Sequence, residues 1–217
     1  MKLKLFILSG LILFVLNSCA YNVQPMSAKP VNVYSSYEEK IPGKFVVVID
    51  ESLRNVSKDV RPSEYVCGAH HYPLNTGDAL ANSVEKTMLA VFDNVEFKKS
   101  MPTSEEMRHD NIKGALVVML NEFKPKVKCG MGFWTGSCRA ETEISLGIIA
   151  RGPSGNIYST AIGGEDYVDG DSGIACEGAA NILALSIEGA MQETCERLGE
   201  RLANSVQLRE AALRTYK

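Results

Sequence analysis

The sequence predicts an α+β fold, a mainly antiparallel sheet of about four to five strands with two helices packed on one face. Three observations carry this. A short β-branched run, Lys44 to Asp50, precedes a segment whose apolar residues recur at spacings of three and four. Three strand-like runs then follow one another with turn signals between them. The chain closes on a long helical stripe at near-heptad spacing.

"KFVVVID" reads as a buried strand, and residues 51 to 75 are irregular. Asn75 or Thr76 can cap a helix that places Leu80, Val84, Met88 and Val91/Phe92 on one face. "NVEFK" is a short strand, and the polar residues 99 to 113 form a loop or a helical turn. "GALVVMLNEFKPKVKC" starts apolar and becomes alternating, with Pro125 favouring an edge position because it cannot donate to a ladder. In "CRAETEISLGIIA", Ala140, Thr142, Ile144, Leu146 and Ile148 share one side, and Glu141 and Glu143 the other. "RGPSGN" is a turn, "IYSTAIGG" a returning strand and "EDYVDGDSG" an acidic loop. From about Cys176 to Arg209 a helix aligns Leu183, Ile187, Met191, Thr194/Cys195, Leu198, Leu202 and Val206.

The ends bound the compartment. Lys2 and Lys4 precede an apolar run, Leu5 to Leu16, too short for the roughly 20 residues a membrane span needs. Residues 1–18 therefore read as a signal peptide. Leu16-Asn17-Ser18-Cys19 resembles the bacterial lipobox. The resemblance implies cleavage before Cys19, a diacylglyceryl thioether on its sulfur and an acylated (palmitate-type) new N-terminus; an ordinary signal peptide holding a cysteine is the alternative. Ala20, where an Asp would retain such proteins in the inner membrane, implies the outer membrane by analogy. Residues 19–42 carry Pro25, Pro30 and Pro42 with no period and read as a lipidated flexible tether. Residues 43–217 are then a single periplasmic domain. A net charge of −3 and a pI near 5.7 give no overall basic field, which argues against nucleic acid as the main partner. No second stretch reads as long and apolar enough to span a membrane.

With Cys19 committed to lipid, Cys67, Cys129, Cys138, Cys176 and Cys195 remain, an odd number in an oxidising compartment. Cys129 and Cys138 flank a hairpin mouth, where the Cα separation suits a disulfide. Their spacing is not the Cys-x-x-Cys of a redox motif. Cys195 lies on the apolar stripe and is the expected free, buried thiol, which leaves Cys67 to pair with Cys176.

Other chemistry is sparse. Cys67, His70 and His71 could supply zinc ligands, but adjacent histidines on extended chain point opposite ways and no second pair completes a set, so no metal is expected. No Gly-x-Ser-x-Gly elbow is present, and nothing local joins His70, His71 or His109 to a serine. No catalytic residue and no cofactor are expected. Glu165, Asp166, Asp169 and Asp171 lack the order of a calcium loop. Lys124, Lys126 and Lys128 share one strand face; they either guard an edge against pairing or form a positive ridge for a phosphate-bearing lipid, anionic peptidoglycan or an acidic partner. In "CGMGFWTGSC", Phe133 and Trp134 either face outward as anchors for a protein or bilayer headgroups, or fold back over the sheet.

"AETEISLGIIARGPSGNIYSTAIGGEDYVDG" followed by "EGAANILALSIEGAMQETCERLGERLANS" resembles the strand, turn, strand, loop and long helix of the YajG-type lipoproteins. More loosely, the domain resembles the small periplasmic α/β folds of the LptE, LpoB and CsgG lipoproteins. These resemblances imply assembly, scaffolding or partner regulation at the outer membrane rather than catalysis. The expectation is a lipid-anchored, non-enzymatic binding or scaffold subunit of an envelope assembly. Its membrane partner would be reached through the lipid on Cys19, and its protein partner through Phe133, Trp134, Lys124, Lys126 and Lys128. The alternative is a periplasmic binder of glycolipid or peptidoglycan fragments.

Overall fold

Three long antiparallel strands dominate the architecture: β5 (Ile112–Met131), β6 (Gly136–Gly152) and β7 (Gly155–Asp171). The computed structural model describes residues 20–29, 32–131 and 136–214. β1 (Ile41–Ile49) lies parallel to β5 on one side and to β4 (Phe92–Lys98) on the other, for an order β4-β1-β5-β6-β7. α1 (Glu51–Arg54) leads into β2 (Ser57–Val60) and β3 (Tyr72–Asn75), which pair antiparallel as a separate two-stranded sheet. α2 (Gly77–Val91) carries the chain to β4, and α3 (Ser104–His109) lies between β4 and β5. After β7, a 3-10 turn (Ile174–Cys176) opens α4 (Glu177–Ala203), followed by α5 (Val206–Leu213).

The class is α+β, but the sheet is mixed rather than mainly antiparallel. β1 returns to β4 through α2, and a helical crossover brings a chain back parallel. Five helices, not two, stand among the described residues. α3 is set by a capping box: Thr103 Oγ1 accepts from the Glu106 N–H, and Glu106 accepts from the Thr103 N–H. Its Met107 covers a small cluster of Val46, Val48, Ile112 and Ala115 on the sheet face away from α4.

The main core lies between the sheet and the long helices. Ile144, Leu146 and Ile148 meet Leu183, Ile187, Met191, Leu198 and Leu202, all fully buried. A bulge near Asn121 keeps β5 in this core. Before it Leu116 and Val118 face the helices; after it the parity changes and Val127 and Cys129 do so. Beyond Val118, β5 has no β1 partner, so Pro125 sits on a local edge. That edge is capped: the Ser63 N–H donates to Val127 O, and Lys58 Nζ donates to Phe123 O.

Three expectations are corrected. "EDYVDGDSG" is not a loop, since β7 runs to Asp171 with its acidic residues paired to β6 in register. The last helix breaks after Ala203. Asn204 donates to Tyr34 O, and Ser205 Oγ accepts from the Leu208 N–H as the cap of α5. Val206 therefore leaves the apolar stripe and is exposed. The segment read as a flexible tether is a strap over the helices. Its Ala20 bridges His71, just before β3, and Val23 bridges Leu74 within it, and Val23 and Ala28 are buried. Farther along, Ala28 N–H donates to Ser83 Oγ on α2, Ser36 N–H donates to Asn204, and the Arg209 guanidinium lies 3.7 Å over the Tyr37 ring. With the turn before it, α4 is also long enough, at 30 residues, and apolar enough in composition to cross a membrane. Its apolar stripe, however, is what the sheet covers.

α4 approaches β7 closely at Gly164, where a Cβ would lie 2.6 Å from the Thr194 nitrogen and 2.9 Å from Ala190 O. Gly164→Val should lower unfolding free energy by about 2–3 kcal/mol in urea titration, because helix backbone must move. Ala161→Val on the exposed face of the same strand should stay within about 0.5 kcal/mol of the parent.

Candidate functional site

Alternation along β6 divides the sheet into a covered and an open face. Ala140, Thr142 and Ile144 turn inward, and Arg139, Glu141 and Glu143 outward. Register then assembles three cross-strand rows on the open face: Lys124–Glu143–Glu165, Lys126–Glu141–Tyr167 and Lys128–Arg139–Asp169. Opposite charges face each other at Lys124–Glu143, Lys126–Glu141 and Arg139–Asp169, which favours the pairing, while Lys128–Arg139 and Glu143–Glu165 are like-charged neighbours. Lysines on β5 and carboxylates on β7 give the face a charge gradient from one strand to the other.

The lysine row is thus not a uniform positive ridge. Lys124 pairs with Glu122 and Glu143, and the Glu122 hydrogen bond holds its ammonium above the usual range. Lys126 and Lys128 make no ion pair among the described residues and are exposed. Arg139 donates to both Asp169 oxygens, at 2.6 and 2.8 Å, and this holds the Asp169 carboxyl below its ordinary range. The same guanidinium lies 5.5 Å from the centroid of the Tyr167 ring, whose side chain is 66% exposed. Sequence reading missed Arg139 and Tyr167 as contact candidates, because Tyr167 sat in a presumed loop and only register brings the two together.

The cysteines meet at the far end of the same strands. Cys129 and Cys138 are directly opposite in register and joined by a disulfide, and Cys67 is joined to Cys176. The sulfurs of Cys67, Cys129 and Cys138 lie within 4.8 Å of one another, so the two bonds are in contact. Both Cys67 and Cys176 adopt left-handed backbone, which the cross-link holds. Tyr72 is fully buried beside them and donates to Cys176 O at 2.9 Å; burial pushes its hydroxyl up to about 12. Cys195 is free and buried on α4, and burial pushes its thiol up to about 11.

The histidines do not join this cluster as a metal site, since Cys67 is bonded to Cys176. His71 Nδ1 lies 3.0 Å from the Asp59 carboxylate. Among the described residues no hydroxyl or thiol bonds its other nitrogen. His70 tilts against Tyr21, and its Nδ1 is buried without a partner. His109 pairs with Asp110 on the surface. Glu165 and Asp169 point to the open face, while Asp166 turns toward Gly189 of α4, so the acidic residues form no single site. A groove of about 840 Å³ lies between the β7 edge and the α4–α5 break, lined by Tyr158, Arg197, Glu200, Arg201 and Gln207. Within it Gly163 O accepts from Arg197; farther along β7 the Glu165 N–H donates to Glu193 on α4. Cys19, Phe133 and Trp134 lie outside the described residues.

This geometry defines a two-layer α+β domain with a strapped helical face, an open charged sheet face and a doubly cross-linked end. No family model matches the chain, and no curated protein does. Among solved structures it is similar to protein XCC0632 from Xanthomonas campestris, assigned to the DUF330 family model. That pair shares 13% identity over 83% of this chain and 92% of that one, with a TM-score of 0.41. It is similar to a minor lipoprotein from Acinetobacter baumannii, at 10% identity over 74% and 93% of the two chains and a TM-score of 0.38. It is also similar to lipoprotein GNA1162 from Neisseria meningitidis, at 8% identity over 67% and 95%, with a TM-score of 0.30. Likeness at these values transfers no function.

The two disulfides close loops of very different length, 109 and 9 residues apart in sequence. In the chain-entropy model Cys67→Ala/Cys176→Ala should therefore lose about 4–5 kcal/mol, and Cys129→Ala/Cys138→Ala about 2–3 kcal/mol, read by denaturant titration. Cys195 should resist alkylation at pH 8 in the folded chain and react once per chain in guanidinium, because burial holds it as the thiol.

Proposed function

We propose that this chain is a lipid-anchored envelope lipoprotein of the YajG-type kind. It would be held in the outer membrane by Cys19, face the periplasm, and act without catalysis as a binding or scaffold subunit. The observation that supports this best is the open face of β5–β7. It is a broad, rigid surface ordered by register, with two unpaired lysines at one side and an exposed Tyr167 stacked under Arg139 near its middle. Aromatic and arginine side chains so placed are the usual anchors of protein interfaces. Lys126 and Lys128 select a partner with acidic residues opposite them.

A glycolipid or peptidoglycan-fragment binder is the second reading. The space between sheet and helices is filled, so such a ligand would use the polar groove, where Arg201 makes no ion pair among the described residues.

The test is crosslinked co-purification from solubilised envelope. Tyr167→Ala combined with Lys126→Glu and Lys128→Glu should reduce recovery of the specific partner by about tenfold, while stability changes by no more than about 0.5 kcal/mol per exposed site. An unchanged recovery pattern sinks the open face. Loss of binding only in Arg201→Glu would move the function to the groove.

A further inference from the structure

The doubly cross-linked end carries a second feature. Tyr65, Met131 and Ile174 are 105%, 87% and 85% exposed. Each stands two residues from a bonded cysteine: Tyr65 before Cys67, Met131 after Cys129 and Ile174 before Cys176. The contact between the two disulfides brings the three segments together. Further contacts confirm the grouping. Ser172 N–H donates to Gly136 O at 2.8 Å, and a Cβ on Gly136 would lie 3.6 Å from Val66. Three large apolar side chains exposed around one cross-linked platform are more than scattered surface residues.

The chain's own start ends at the same place. Ala20 bridges His71, Tyr21 N–H donates to His71 O at 3.1 Å, and the Tyr21 hydroxyl donates to Ala175 O at 2.8 Å. The residue before Ala20 is Cys19. A lipid on Cys19 would therefore begin one residue from a fixed point on the body, with no slack chain between. Such a body cannot drift away from the leaflet that holds its acyl chains, and whatever lies around Ala20 must meet that leaflet.

We propose that this end rests on the membrane surface, with Tyr65, Met131 and Ile174 entering the boundary between headgroups and acyl chains beside the Cys19 lipid. The occupant is the phospholipid leaflet itself. Tyrosine suits the boundary because its ring is apolar and its hydroxyl wet, and Met and Ile add buried apolar area. Glu64, Asp171 and Glu177 lie near this end together with Lys128 and Arg139, so its charge is mixed and contact rests on apolar insertion rather than on attraction to anionic lipid. The inference rests on the reading of Cys19 as the anchor.

The test uses the full lipidated chain in excess phosphatidylcholine vesicles containing a phosphatidylcholine brominated near the headgroup. Trp134, the single tryptophan, lies three residues after Met131 in sequence and serves as the reporter. Its emission should be quenched by about half against unbrominated vesicles. Tyr65→Ser/Met131→Ser/Ile174→Ser should still sediment with the vesicles but lose most of that quenching. Leu213→Ser, exposed near the opposite end of the sheet, should keep it. Absence of quenching in the parent, or equal quenching in the triple variant, overturns the proposal. Intact mass reports acylation of Cys19 separately: an unacylated chain would sink the anchor alone, and the contact surface would still stand or fall on the quenching difference.

Discussion

β6 pairs with both neighbours over almost its whole length, its register set on either side of the β5 bulge, and the rest of the structure depends on that constraint. In a strand, a slip of one residue exchanges the two faces. Here it would bury Arg139, Glu141 and Glu143 against α4 and turn Ala140, Thr142, Ile144 and Leu146 to water. Burying three unpaired charges is prohibitive, so the pattern itself excludes the slip. The Cys129–Cys138 bond joins residues already opposite in register, and the Thr142–Ser186 hydrogen bond at 2.8 Å ties the same register to α4. What the helices cover and what the open face shows are therefore one decision.

Covering the helices is a separate problem, solved by the N-terminal strap. α4 packs one stripe on the sheet, which leaves the groove between α2 and α4 on the other side. Val33 reaches Gly199 there, where a Cβ would meet it at 2.8 Å, and Ala28 settles beside Ser83. Strap, Cys67–Cys176 bond and β2–β3 pair close the core at the end opposite α5. Since the strap crosses both helices before it enters β1, the first residues after Cys19 are as much a part of the domain as the sheet.

Much of this was legible where periodicity carries information. Leu80, Val84 and Met88 on α2, and Leu183 to Leu202 on α4, follow a period that burial requires. The alternation of β6 did the same for its strand. The parallel placement of β1 was not legible, because "KFVVVID" states that a strand is buried on both faces and not which way its neighbours run. The strap was hidden because its backbone donors are satisfied by helix side chains, an arrangement without a period. The end of α4 was hidden because Asn204 acts through Tyr34 and Ser36, far off in sequence. The candidate contacts divide along the same line. The lysine row could be read from β5 alone, whereas the Arg139–Tyr167 pair exists only once two strands are in register.

Orientation links these surfaces. β5, β6 and β7 all extend between the cross-linked end and the opposite end of the sheet, so a domain seated on a leaflet by Tyr65, Met131 and Ile174 would hold its long strands away from the bilayer. The open face then stands across the membrane plane and is reached from the side. Its rows are ordered by height: Lys128–Arg139–Asp169 nearest the leaflet, then Lys126–Glu141–Tyr167, then Lys124–Glu143–Glu165. In the proposed seating, a partner docking there would itself be brought against the membrane, and its contact with Tyr167 would be set at a fixed distance from the lipid. A flexible tether would lose that distance. In the proposed seating the strap, by pinning Ala20 to His71 just before β3, would supply it, a role for the packed N-terminal segment beyond covering the core.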